Sequence, residues 1–171
     1  MDFKNAIRAI PDFPSEGIMF RDITTVLQDP EALKSSIDQI CDILKDVDFD
    51  IVIGPESRGF IFGMPVAYAL NKGFVPVRKE GKLPHETIKK SYSLEYGEAV
   101  IEMHTDAIKK GQKVVIIDDL LATGGTCKAI AELIEEVGGV IEEMIFFIEL
   151  DGLNGREVLD GYNIKSLVNF D

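Results

Sequence analysis

The chain has 171 residues, with 30 Asp or Glu against 18 Lys or Arg and a formal net charge of −12. So acidic a balance argues against a general binder of DNA or RNA, whose affinity comes mostly from cations set against phosphates, and against an anionic membrane surface. With 46% hydrophobic and 8% aromatic residues, the length fits one domain, residues 1–171, that can close an ordinary core, and disorder is not indicated.

Residues 1–17 carry charges and prolines but no apolar core of signal-peptide length, and Pro11, Pro14 and Gly17 make them poor helix material. Taken on its own, the run from Ile18 to Ile23 reads as an edge strand. Asp29 then offers an N-cap with Pro30 at the first helical position, and Leu33, Ile37, Ile40 and Leu44 recur at helical spacing. Phe49 to Ile53 reads as a strand ending at Gly54, Arg58 to Leu70 as a buried helix that Pro65 could kink, and Phe74 to Arg78 as a strand. Val114 to Ile117 predicts a strand running into Asp118 and Asp119, and a helix from Thr126 to Val137 follows a Gly-Gly turn. Val140 to Leu150 and Ile164 to Phe170 complete the strands. Apolar strands alternating with helices predict an α/β fold, a mainly parallel twisted sheet covered on both faces, with ligands bound beyond the carboxyl ends of the strands. The segments after Ile53, Arg78 and Ile117 are therefore the places to search.

Two features bear on the cell compartment. Cys41 and Cys127 have no short spacing and no paired His, so neither a disulfide framework nor a zinc site is expected and a reducing, cytoplasmic setting is the default. The most apolar stretch, Phe60 to Leu70, is too short to span a bilayer.

Residues 79–98 show no clear period, and a connection of about twenty residues inside a compact domain is usually a functional lid or disordered. Its first part is locally basic: Arg78, Lys79, Lys82, Lys89 and Lys90 face only Glu80 and Glu86. A solvated loop and a lid closing on an anion both fit. For Ser91 to Glu98, a plain strand turning at Gly97 fits as well, and it does not exclude the lid.

The run Val114 to Thr126 carries the most chemistry. Ala122, Thr123, Gly124, Gly125 and Thr126 open a helix, so close-approaching backbone N–H groups, two hydroxyls and the positive end of the helix form an anion cradle without a lysine. Asp118 and Asp119 stand directly before it. Alone, such a pair is more often a cap and a solvated neighbour than a site. No G-x-x-x-x-G-K-[ST] run lies upstream to make a nucleoside triphosphatase, and a phospho-receiver would place its acidic pair after the first strand. Two carboxylates beside a monophosphate cradle suit the 2′ and 3′ hydroxyls of a ribose whose 5′-phosphate sits in the cradle.

The same run resembles the phosphoribosyl-pyrophosphate (PRPP) signature of type I phosphoribosyltransferases. Taken with Gly54-Pro55-Glu56-Ser57-Arg58-Gly59-Phe60, Arg78-Lys79-Glu80-Gly81-Lys82-Leu83-Pro84, Ser91-Tyr92-Ser93-Leu94-Glu95-Tyr96-Gly97, Pro11-Asp12-Phe13-Pro14 and Phe20-Arg21-Asp22-Ile23, it is similar to the members of that family that use adenine, over nearly the whole chain and in order. The resemblance implies a base-binding hood (residues 1–28), with the Met19 backbone and the Arg21 side chain near the purine, and a flexible lid (residues 79–98). It further implies that Ser57 and Arg58, after a cis peptide, hold pyrophosphate, that Lys79 and Lys82 approach it, that Glu95 handles the proton at the purine and that Tyr96 seals the site. Adenine and PRPP as substrates, Mg²⁺ carried by PRPP with no metal site on the protein, and a homodimer are implied in the same way. The alternatives are another purine such as xanthine, which the hood motif disfavours, and a non-catalytic nucleotide-sensing regulator, which the −12 charge, the lid and Glu95 disfavour. His85 and His104 lack metal-like spacing, and Cys127 reads as a small packing residue.

Overall fold

The computed structural model describes residues 1–94 and 96–171. The opening stretch carries one turn of helix, α1 (Phe3–Ala6), that its prolines conceal: they come later, and the Asp2 side chain caps the turn by accepting the N–H groups of Lys4 and Asn5. β1 (Arg8–Ile10) and β2 (Phe20–Asp22) pair antiparallel, so the expected edge strand exists but in a small two-stranded sheet of its own. Phe3 meets the Phe147 ring edge-on at 5.1 Å and fastens this N-terminal part to the core. A five-residue helix, α2 (Thr24–Gln28), has no side-chain cap among the described residues to announce it.

α3 (Pro30–Leu44) starts as predicted: Asp29 Oδ1 accepts the N–H groups of Glu31 (2.9 Å) and Ala32 (3.0 Å), and Pro30 takes the first position. Its buried stripe is Ala32, Ser36, Ile40 and Leu44, turned by one residue from the apolar spacing at Leu33 and Ile37. β3 (Ile51–Pro55), α4 (Arg58–Ala69) and β4 (Gly73–Lys79) follow. Helix α4 runs through Pro65 unbroken, with Phe62, Val66 and Ala67 buried around it.

The segment read as a connection without period holds β5 (Thr87–Ser93), paired antiparallel with β6 (Glu98–His104), a strand the sequence reading does not contain. β7 (Lys113–Leu121) extends past Ile117 because its ladder with β8 (Val140–Leu150) continues to Leu121 opposite Glu149. Between them lies α5 (Gly125–Glu136). A 3-10 turn at Asp151–Leu153 and α6 (Gly155–Val158), both unanticipated, lead to β9 (Ile164–Phe170).

The main sheet has the order β5-β6-β4-β3-β7-β8-β9, parallel from β4 to β9 and antiparallel where β6 meets β4 and β5. It is the mainly parallel α/β sheet that the alternation predicts. Both faces are covered, which is why β7 is apolar in succession: Val115 and Ile117 join the core with α3 and α4, and Val114 and Ile116 join the core with α5. No helix among the described residues is long and apolar enough to cross a membrane.

Candidate active site

The strand order reverses between β3 and β7. β3 leads outward through α4 to β4, and β7 leads the other way through α5 to β8. Their register runs only from Ile51↔Val114 to Ile53↔Ile116, so a crevice opens beyond their carboxyl ends. Gly59 makes the closeness possible there: a Cβ on it would lie 2.7 Å from Pro55 Cδ and 3.1 Å from Asp118 Oδ1.

Three adjoining recesses occupy the crevice. The first, ≈ 210 Å³, is lined by Ala122, Thr123, Gly124, Gly125 and Thr126, with Asp118, Asp119 and Arg58 at its edge. Gly124 stands at the N-cap of α5 with φ +87°, and a Cβ there would be 2.8 Å from Gly155 O, so α6 buttresses the cradle from behind. No side chain caps α5 among the described residues, which leaves its first N–H groups to the recess.

The second recess, ≈ 340 Å³, is lined by Glu56, Ser57, Arg58, Lys79, Tyr92 and Thr126 together with the acidic pair. The Glu56–Ser57 peptide is cis. Thr126 Oγ donates to Tyr92 Oη at 3.2 Å, which ties the β5–β6 hairpin to the cradle. The third recess, ≈ 130 Å³, is largely apolar, formed by Ile18, Met19, Phe20, Leu120, Ile148 and Leu150, with Arg21 alongside. Arg58 and Asp119 line all three.

Electrostatics set the two aspartates apart. Asp119 is buried, with Oδ2 2.6 Å from Arg58 Nε, and its N–H donates to Asp118 Oδ1 at 2.8 Å. Asp118 keeps some surface open to the cleft, yet its carboxyl sits among protein atoms. Desolvation and the neighbouring Asp119 charge push its pKa well above the usual carboxylate range. Across the crevice, burial alone would raise Glu56, but the Lys79 N–H, Lys82 and Arg78 outweigh it and hold the carboxyl below its ordinary value.

A sequence model of the family described as "Phosphoribosyl transferase domain" matches residues 22–169. An adenine phosphoribosyltransferase of Lachnoclostridium phytofermentans is 62% identical over 164 residues, 96% of this chain and 94% of that protein. One of Acetivibrio thermocellus is 61% identical over 171 residues, 99% of this chain and 100% of that protein. The chain belongs to the phosphoribosyltransferase family. Solved structures agree. The crystal structure of adenine phosphoribosyltransferase from Thermoanaerobacter pseudethanolicus matches with a TM-score of 0.95 at 54% identity, covering 98% of this chain and 97% of that one. The Saccharomyces cerevisiae enzyme, complexed with D-2,5-dideoxy-2,5-imino-altritol 1,6-bisphosphate and adenine, matches at 0.90 and 42%, covering 96% and 95%.

Within this phosphoribosyltransferase, Ala122 to Thr126, Asp118, Asp119, Ser57, Arg58, Lys79, Met19 and Arg21 all come to the one crevice. Lys82 stands behind the second recess with its ammonium 3.1 Å from Glu56 Oε2. Tyr96 is 88% exposed and lines none of the three; Tyr92 faces the second recess. The expectation for Glu95 lies outside the described residues. Sequence reasoning passed over Glu56, Tyr92 and Phe170, whose ring centroid lies 3.9 Å from the Arg21 guanidinium carbon. An acidic residue inside an anion-binding turn was the available signal for Glu56. Cys127 packs beneath the cradle with Sγ 3.5 Å from Met144 Sδ, its thiol pushed far up by burial. His85 and His104 sit together, the His85 backbone N–H donating to His104 Nε2 at 3.3 Å. Among the described residues no three His, Cys, Asp or Glu side chains group as metal ligands.

Proposed function

We propose that this phosphoribosyltransferase transfers the 5-phosphoribosyl group of PRPP to adenine, releasing pyrophosphate and forming AMP. The observation that carries the reading is the convergence of three unlike recesses, a backbone anion cradle, a charged pocket in which Arg58 and Lys79 stand among three carboxylates, and a small apolar slot, on Arg58 and Asp119. A sugar phosphate, a leaving diphosphate and a planar base require that arrangement. The relatives named for the adenine reaction support the choice of base.

In this reading the cradle of Ala122 to Thr126 takes the 5′-phosphate and Asp118 and Asp119 take the ribose hydroxyls. Ser57, Arg58, Lys79 and Lys82 meet the pyrophosphate. The backbone near Met19 and the Arg21 side chain read the base, and residues 1–28 act as the hood. Residues 79–98 act as the lid, with Glu95 handling the proton at the purine and Tyr96 sealing the site. As the bond to pyrophosphate breaks, positive charge builds on the ribose ring. Asp118 and Asp119, placed at the ribose in this reading, face that charge as it develops. Positioning and electrostatics therefore supply most of the catalysis. Mg²⁺ enters with PRPP as part of the substrate, and the oxygen donors of Asp118 and Asp119 suit a hard cation near the ribose.

The protein acts in the cytoplasm as a homodimer in this reading. α4 supports the second point by presenting Met64 (50% exposed) and Tyr68 (87% exposed) one turn apart.

The test is pyrophosphate release with PRPP, Mg²⁺ and each purine base in turn. Turnover with adenine is expected. Turnover only with another purine would overturn the base assignment, and none with any base would overturn the enzyme.

A further inference from the structure

Glu56, in the second recess, carries the same negative sign as the inferred leaving group. Glu56 follows β3, its side chain is only 11% exposed, and among the described residues its carboxylate accepts hydrogen bonds from donors that a diphosphate would also want. Oε1 accepts the Lys79 N–H at 2.7 Å. Oε2 accepts from Arg78 Nη2 at 3.1 Å, from Arg78 Nε at 3.4 Å and from Lys82 Nζ at 3.1 Å. The Glu56 N–H itself donates to Val77 O at 2.9 Å, so the residue is fixed at both ends to β4.

A carboxylate placed solely to stiffen β3 against β4 would need only the Lys79 N–H. Glu56 also gathers two cations, Arg78 and Lys82, behind a recess that Arg58 and Lys79 line. A diphosphate bound beside Ser57 can recruit Lys82 and the Lys79 N–H only by taking them from Glu56. Each new ion pair then costs about as much as the one it breaks. That competition opposes tight holding of the diphosphate, and diphosphate binding that is equal in ground and transition states does not speed the reaction.

We propose that Glu56 is an internal counter-anion. It keeps Lys82, Arg78 and the Lys79 N–H beside the second recess and competes with pyrophosphate for them, so that the leaving group is not retained. The inference rests on the functional reading above.

Glu56→Gln keeps the length and the acceptor for the Lys79 N–H while removing the charge. Pyrophosphate with Mg²⁺ is titrated calorimetrically into the full chain, with AMP as the control ligand. Removing one charge-assisted competitor should tighten pyrophosphate about tenfold and leave AMP within about twofold. Product inhibition by pyrophosphate should tighten in parallel. Glu56→Asp, which keeps the charge with a shorter reach, should stay near wild type and serves as the comparison if Glu56→Gln does not fold: tightening equal to or beyond tenfold in Glu56→Asp would overturn the charge argument. Unchanged or weaker pyrophosphate binding in folded Glu56→Gln also overturns it. Wild-type protein that binds pyrophosphate but turns over no base would break the functional reading while the Glu56 comparison still decides the inference. Wild-type protein that binds no pyrophosphate overturns both.

Discussion

The first and second recesses share a wall of Asp118, Asp119 and Arg58, yet in the proposed reading they would meet an anion by different means. The first relies on backbone N–H groups at the start of α5, set by Gly124 in a left-handed conformation. The second relies on side chains, Arg58 and Lys79 in front and Arg78 and Lys82 held behind by Glu56. Two carboxyls differ in the same way: Asp118, on the shared wall, is shifted up by desolvation and by the Asp119 charge, and Glu56, despite its burial, is shifted down by the Lys79 N–H, Lys82 and Arg78. A backbone cradle is fixed by the path of the chain, whereas side-chain partners can be exchanged. Fixed geometry suits a phosphate present in both substrate and product. Exchangeable partners suit a diphosphate that has to leave.

The largest effect should come from the shared wall. Asp118→Asn with Asp119→Asn removes both carboxylates facing the ribose position, and turnover should fall by ~100-fold or more while circular dichroism stays native. A double variant with wild-type turnover would place the ribose elsewhere. Next comes the cradle. In Gly124→Ala the new methyl meets Gly155 O at 2.8 Å in a backbone conformation that already disfavours it. The cost is about 1–3 kcal/mol, and AMP affinity should drop roughly tenfold or more with pyrophosphate affinity changed far less. Equal losses for the two ligands would erase the distinction between the recesses.

The cradle and its acidic pair were legible because they are local: the strand, the carboxylates, the glycines and the helix start lie within thirteen consecutive residues. The second recess was only partly so. The Glu56 contacts reach 22 to 26 residues along the chain and exist because β3 and β4 are neighbours, which no local pattern states. β5 was visible only at its end, through the strand offered from Ser91, for another reason. Its inward residues are Ile88, Lys90 and Tyr92, and Lys90 pairs with Glu132 on α5, so a polar residue interrupts the apolar side of the alternation. The end of β7 was misplaced because pairing with β8, not apolar content, carries the strand through Asp118 and Asp119.

The third recess sharpens the comparison, since in the proposed reading it alone takes the base. Phe170 does not line it but stands behind two residues that do, pairing with Leu150 across the β8–β9 ladder and holding the Arg21 guanidinium over its ring. A cation–π contact of about 0.5–1 kcal/mol implies that Phe170→Leu raises KM for adenine two- to fivefold. KM for PRPP should not move, and Phe170→Tyr should restore the adenine value. A parallel rise in both constants would make Phe170 a packing residue only.

The smallest expected effect concerns stability and separates Asp118 from Glu56 by sign. A carboxyl whose folded pKa lies above its unfolded value is protonated in both states at low pH and disfavours the folded state progressively as pH rises from its ordinary value through the raised one. Glu56, with its folded value lowered, stabilises the fold above its ordinary range and loses that contribution as pH falls through the lowered value. Asp118→Asn should therefore melt a few degrees above wild type at neutral pH, with the two curves converging as pH falls below the ordinary carboxylate range. Glu56→Gln should melt below wild type at neutral pH and converge with it in acid. Melting temperatures across the acid-to-neutral range decide the matter. If Asp118→Asn is the less stable variant at neutral pH, the Asp119 N–H bond and the nearby Arg58 charge outweigh the burial of Asp118 and its repulsion from Asp119.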